Sequence, residues 1–510
     1  MGFMYQHITV EQRAQIGFTV ALFQGTYGLV TGFARDFGTS RKFIYTLANK
    51  VRIALAETLA PKPPGPPPHS QAILVDRARL DRAILTLALV THASQRGIAQ
   101  CLAEIYQVEP SLGYVNAVLQ KASNAAASFN QTLPLPLKEA QVEADELFAL
   151  DKAHLVAVDH NSLLILSLTQ PQHCDASAWQ ESLRDLQARG VNLARLASDG
   201  GKALEKAVCK FPEVEHQLDL WHALRHIGRV KRALEQVAYT AIGKEWELEK
   251  RASVMKASHV MGGYVWERYE RARNDADEKI VRYEQLCTLG AWVREALEAV
   301  DLVNGRIRTH QECLEELTAA IELMRELKVN AVDKLANYLE KSGPGLLRYV
   351  ERVGAQMQAL GEELGEEGVR RLFHEWCLQM QVNKGRGSQN IERKKDYERA
   401  HLVALMHWGK DYKVARGRVE ECLTRVMRGS SLAECVNSWL RPYADLMKGI
   451  KDGLLPLFTL YRNSHVFKRG KRAGHSPMEL AGIETPQGDW LDWIGLGPKV
   501  PQRRSVRSLP

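Results

Sequence analysis

Hydrophobic positions change their spacing more than once along this chain. Up to about residue 130 they recur every three or four residues, the period of helices that bury one face. From residue 141 short apolar runs and alternation take over. "QVEADELFAL" (141–150) and "HLVAVDHNSLLILSL" (154–168) read as three strands, the last two joined by a turn at Asp159–Ser162. "ASAWQESLRDLQARG" (176–190) is an amphipathic helix ending at Gly190. "NLARLASDGG" (192–201) is a buried strand running into a turn, "GKALEKAVCKF" (201–211) a helix, and "EVEHQLDLW" (213–221) a further strand. The order β-β-β-α-β-α-β predicts a mixed sheet with helices packed on it. Residues 223–430 then read as almost wholly helical, with breaks at 262–263, 342–345 and 383–388. "GSSLAECVNSWLRPYADLMKG" (429–449) is a capped helix, with Ser430 or Ser431 as its N-cap.

Proline marks the boundaries of the first part. "PKPPGPPPHS" (61–70) is a stiff, extended spacer, and "NQTLPLPLKEA" (130–140) closes the N-terminal region. Before the spacer, Ala34, Gly38 and Ile44 stand at helix-turn-helix offsets: a small contact residue, a turn glycine and a buried anchor. The second helix, capped by Thr39 or Ser40, would present Arg41, Lys42, Tyr45 and Asn49 to DNA phosphates and base edges. After the spacer, residues 94–122 repeat the plan. One helix ends near Tyr106, Pro110 lies in the turn, and Ser111 caps a helix showing Tyr114, Asn116 and Gln120. Each unit also reads as a plain helical hairpin; the pairing of two favours DNA binding.

Composition narrows the class. With 510 residues the chain is too long for one ordinary core. Lys and Arg exceed Asp and Glu by 68 to 60, a net charge of +8 that suits a polyanion partner without singling one out. The eight cysteines form no C-x-x-C pair, which argues against a zinc site and a disulfide framework and for a reducing compartment. "MGFMYQHITV" lacks the pattern of a signal peptide. The uncharged stretch Ala14–Ala34 holds too many Gln, Thr and Gly residues for a membrane span. The expectation is a cytoplasmic, nucleoid-associated protein with no membrane partner.

Acids at strand ends carry the candidate chemistry. Asp145 lies inside the first strand among apolar residues, where an ionised carboxylate is costly unless paired or metal-bound. Asp199 ends the fourth strand in "SDGG", which taken alone is a turn. If strands one and four are neighbours, the two carboxylates converge and need a cation between them. Oxygen-only ligands point to Mg²⁺ or Mn²⁺. Glu434, in the first turn of the helix from 429, is the candidate third acid, with Asn437 and Arg441 further along the same face.

These residues resemble the ribonuclease-H-like catalytic domain of DDE transposases. "DLWH" (219–222) is similar to the C/D-x-x-H pattern of the Mutator and hAT superfamilies, which precedes a large helical insertion. Glu434 follows Asp219 by 215 residues. "ECVNSWLRPY" and "RGKRAGHSPMEL" look like bacterial insertion-sequence transposases. The resemblance implies an α/β ribonuclease-H-like mixed sheet interrupted by an all-α insertion and preceded by two helix-turn-helix units. Its divisions would be 1–60 and 72–130 for the DNA-binding units, 61–71 for the linker, 141–228 and 429–465 for the core, 229–428 for the insertion and 466–510 for a basic tail.

It further implies Asp145, Asp199 and Glu434 as catalytic residues holding two Mg²⁺ or Mn²⁺ ions. Asp219, His222, Asn437 and Arg441 would stand around them, and Trp376 or Trp408 would stack on a flipped base. The partners would be transposon-end and target DNA and at least one further copy of the chain. Another ribonuclease-H-like nuclease of resolvase type, or a non-catalytic DNA-binding regulator, are the alternatives.

Overall fold

The computed structural model describes residues 7–23, 25–60, 75–150, 152–257, 263–385, 389–446 and 453–496. The chain divides at residue 74 into two compact units.

The first unit holds three helices: α1 (Val10–Leu22), α2 (Leu29–Asp36) and α3 (Arg41–Leu59). Thr9 and Gln12 form a capping box on α1, and the Ser40 hydroxyl, not Thr39, caps α3 by accepting the Phe43 N–H at 3.1 Å. Ile8, Ile16, Val20, Ile44 and Ala48 make the core. At Gly17 a Cβ would meet Val51 Cγ2 at 2.6 Å, so only glycine lets α1 and α3 cross this closely. Gly38 takes the left-handed turn conformation (φ 58°), while Arg41, Lys42, Tyr45 and Asn49 all face outward. The proline-rich stretch 61–70 lies outside the described residues.

The second unit opens with α4 (Arg77–Val90), α5 (Gln95–Tyr106) and α6 (Leu112–Thr132), capped by Asp76, Ser94 and Ser111. Then come β1 (Ala140–Ala149), β2 (Lys152–Asp159), β3 (Ile165–Thr169), α7 (Ala176–Ala188), β4 (Leu193–Ser198), α8 (Lys202–Val208) and β5 (Glu215–Leu218). The sheet order is β3-β2-β1-β4-β5; β1 runs antiparallel to β2, and parallel to β4, which is parallel to β5. Strands one and four are therefore neighbours. The final strand is shorter than its alternation suggests. It stops at Leu218, and Trp221 belongs to the following helix, α9 (Leu220–Ala257).

Helices α4–α6 share one hydrophobic core with the sheet, including Ile84, Leu102, Val115, Val156, Leu196 and Trp179. Tyr443, from the later part of the chain, donates to Leu89 O at 2.6 Å. Residues 75–132 are thus built into the body rather than hung beside it.

Between β5 and residue 430 a second core forms from α9, α10 (Gly263–Ala296), α11 (His310–Glu326), α12 (Asn330–Leu346), α13 (Arg348–Leu364), α14 (Glu366–Lys384), α15 (Gln389–Trp408) and α16 (Tyr412–Thr424). It also contains a small ribbon, β6 (Val300–Asp301) with β7 (Arg306–Ile307), that periodicity did not reveal. The expected break at 342–345 falls slightly later, at Leu347: α12 runs through Pro344 in its last turn and ends two residues beyond it, and α13 starts at Arg348. Of the other two breaks, residues 258–262 and 386–388 lie outside the described residues.

The chain then returns to the sheet as α17 (Ser431–Leu446), α18 (Leu454–Ser464), α19 (Pro477–Leu480) and α20 (Trp490–Trp493). Residues 466–496 are not the loose tail their loop-rich sequence suggests, because Met478 and Leu491 are fully buried in the first core. No helix among the described residues is long and apolar enough to cross a membrane.

Candidate active site

Register places the acids. Glu143 of β1 pairs with Ala197 of β4, so two residues further on Asp145 and Asp199 stand at matching positions where β4 ends. Helix α17 packs against β1 and β2 and supplies the facing side chains. Asn437 Nδ2 donates to Asp145 Oδ2 at 2.8 Å, and Arg441 Nη2 donates to Glu434 Oε1 at 2.6 Å. The Asp199 carboxylate accepts the Gly201 N–H at 2.8 Å. Burial, together with the nearby charges of Asp199 and Glu434, pushes Asp145 up to about 7.

Burial is the larger cause, and the two neighbouring carboxylates add to it. Asn437 Oδ1 is also buried with no hydrogen-bond partner. This oxygen-only donor set fits a hard divalent ion. Among the described residues, no three ligating side chains are already drawn about one point; Asp145 accepts from Asn437 and Glu434 from Arg441.

Two buried carboxylates fasten the start of α17. Asp219 Oδ1 accepts the N–H groups of Trp221 (2.7 Å) and His222 (3.3 Å), capping α9, while Oδ2 accepts the Ser430 N–H (3.0 Å) and hydroxyl (2.8 Å). Glu143, fully buried, accepts the Leu432 N–H at 2.5 Å through one oxygen and faces His160 Nδ1 at 2.6 Å with the other. His160 Nε2 in turn lies 3.0 Å from Arg425 O. Neither serine hydroxyl caps α17 in the expected way. The first turn bearing Glu434 is instead held by acids 211 and 289 residues away in sequence.

His222 Nδ1 lies 3.6 Å from Asp219 Oδ2, an ion-pair distance rather than a full hydrogen bond. Asp219 raises the His222 pKa above its ordinary value against the opposing effect of burial, with Asp199 and Asp145 adding to the rise. For Asp219 itself burial acts upward, but His222, Ser430 and Trp221 outweigh it and hold the carboxyl low.

The signs follow. The His222 contribution to stability is complete below the unfolded imidazole value of about 6.5 and fades as pH rises through the folded value. The Asp219 contribution is present above the unfolded carboxyl value and fades in acid. We therefore expect the melting temperature of the wild type to exceed that of His222→Gln most near pH 6, with the gap closing above neutrality. Melting curves across that range check it.

The other predicted residues separate. Tyr114 is half-buried, its hydroxyl donating to Asp81 with Arg77 over its ring, so it is not presented to a ligand. Asn116 accepts from Gln95 at 2.9 Å but stays exposed, as does Gln120. Trp376 is 8% exposed in the helical core, and Trp408 is part-buried, donating to Gly368 O at 3.2 Å. Neither is free to stack on a base. Instead Trp221 is 53% exposed beside His222, with Arg225 5.0 Å from its ring. An exposed indole at a helix start is the signal in the sequence for this residue. Glu143 was also missed; its alternation with Asp145 on one strand face could have shown it.

No curated protein matches the chain. A family model, described as Transposase, Mutator family, does match residues 79–313. That span includes Asp145, Asp199, Asp219 and His222 but stops within α11, short of Glu434. From within α4 to the first turn of α11, then, the sequence is similar to the Mutator-family transposase model, which supports a transposase.

Proposed function

We propose that the protein is a DDE transposase of bacterial insertion-sequence type. It would bind the terminal inverted repeats of its element and carry out metal-dependent strand cleavage and strand transfer. The observation that supports this reading is the sheet order with β1 beside β4, which puts Asp145 and Asp199 on adjacent strands, with Glu434 on the packed α17 near enough for its charge to act on Asp145. The same order, with a helical core between β5 and α17, favours a ribonuclease-H-like domain with an insertion.

Asp145, Asp199 and Glu434 are the residues that would hold divalent ions. When bound, two such ions activate a water for in-line attack on a phosphodiester and stabilise the departing 3′ oxygen. The chain's own groups do the rest. The His222 imidazolium, steadied by Asp219, offers a positive charge to the scissile phosphate. Arg441 and Asn437 exchange Glu434 and Asp145 for phosphate oxygens as DNA enters. The freed 3′-OH then attacks target DNA at the same place.

Arg41 and Lys42 begin α3 on its open face. Replacing both by Ala should weaken binding to the element ends and reduce the salt slope of log Kd by about 1–2. Fluorescence anisotropy at several salt concentrations measures this.

The reading is tested with linear DNA carrying the sequences that flank the gene, incubated with protein and Mg²⁺. Cleavage at the boundary of imperfect inverted repeats is expected. Preference for branched junctions would indicate a resolvase, and binding without cleavage a regulator.

A further inference from the structure

A fourth carboxylate stands behind the site, on the other side of the sheet. Strand alternation sends Asp145 toward α17 and the next residue, Glu146, toward α7. There Glu146 Oε1 accepts the indole N–H of Trp179 at 2.7 Å. Trp179 is fully buried on α7, so this carboxylate satisfies a donor that would otherwise be orphaned. The other oxygen, Oε2, faces the turn that carries Asp199. A Cβ built on Gly201 would stand 3.3 Å from Glu146 Oε2 and 3.2 Å from Asp199 Oδ1. Both carboxylates therefore lie against the same glycine, and a Cβ there would require them to give by a few tenths of an ångström.

Two like charges this close, one anchored by a rigid indole and one on a turn, have a directional consequence. Repulsion biases the turn-borne group, which is tethered only by the Gly201 N–H, away from the fixed one. For Asp199 that direction is the α17 side, where Asp145 lies. We propose that Glu146 is a positioning residue: held by Trp179, its charge sets the Asp199 carboxylate toward Asp145 and strengthens the site's grip on a divalent cation. This rests on the reading of Asp145 and Asp199 as metal ligands given above. No role for Glu146 in touching DNA or water is involved.

The test is Mn²⁺ binding to the full-length protein, followed by electron paramagnetic resonance, with the metal dependence of cleavage measured in parallel. Glu146→Gln keeps the shape and can still accept the indole N–H, but removes the charge. It should weaken Mn²⁺ binding about tenfold, the usual effect of losing an outer partner of a metal ligand. The fall in apparent metal affinity should be much larger than the fall in kcat, with the melting temperature unmoved. Trp179→Phe keeps the charge but removes the indole donor, leaving the Cys174 thiol as a remaining partner of Glu146, and should weaken binding by a smaller factor in the same direction.

Asp199→Asn is the control. If it leaves Mn²⁺ binding intact, the metal reading itself is wrong. If it abolishes binding while Glu146→Gln and Trp179→Phe both bind Mn²⁺ as tightly as wild type, the Glu146 inference alone is overturned. If Glu146→Gln fails to fold, the Trp179→Phe titration decides.

Discussion

Asp145→Ala should remove Mg²⁺-dependent DNA cleavage by at least about a thousandfold, or ~4 kcal/mol of transition-state stabilisation. DNA binding should survive, because Asp145 is only part-exposed at the sheet and far in sequence from the α3 face. The loss arises from two changes. The carboxylate that lies opposite Asp199 is gone, and Asn437 Nδ2, buried on α17, is left without its acceptor. The second change alone costs stability of roughly 1–3 kcal/mol. Asp145→Asn separates the two, since it retains a side chain that can accept from Asn437 but not a charge for a cation. Equal loss of cleavage in both variants, with a stability loss in the alanine variant alone, is the expected pattern. Gel assays on a pre-bound DNA substrate, with thermal melts alongside, provide both readings.

Asp219→Ala should be nearly as damaging for a different reason. Its carboxylate is 4% exposed and accepts four hydrogen bonds, two that cap α9 and two that hold Ser430. Truncation strands these donors in a buried place, at a cost of about 3–5 kcal/mol. The damage should be local. Amide hydrogen exchange should quicken at Ser430 and along the first turn of α17, with α10 and the α1–α3 unit unaffected. Glu434 sits in that turn, so a shift of ~1 Å would lower cleavage by roughly a hundredfold. Gly429 reinforces the point: a Cβ there would lie 2.4 Å from Asp219 Oδ1, so Gly429→Ala should reproduce the phenotype in weaker form. His222→Gln, which spares the Ser430 bonds, should lower cleavage without changing exchange at Ser430.

The elements around the site were legible because each obeys one simple period. Alternation and apolar runs marked β1 through β4, serine caps marked α3 and α6, and amphipathic spacing marked α7. What escaped depended on partners distant in sequence. The alternation of "EHQLDLW" continues past Leu218, but Asp219 caps α9 and turns Trp221 into a helical residue. Pro344 looked like a stop, and α12 does end just beyond it, at Leu346, with the proline in its last turn. The candidate acids could be guessed from strand ends, whereas the clasp formed by Glu143 and Asp219 on α17 could not, since nothing local to Ser430 or Leu432 announces it. Trp376 and Trp408 fell on helical patterns shared by core and surface aromatics, and the core won.

The central claim is that Asp145, Asp199 and Glu434 close on common divalent ions. Crystals of the protein with its DNA ends and Mn²⁺ test it through anomalous scattering at the manganese edge. The account predicts manganese peaks within ligand distance of all three acids, with Asn437 and Arg441 turned to phosphate oxygens. Manganese bound elsewhere, with Glu434 still on Arg441 and Asp145 still on Asn437, would contradict it.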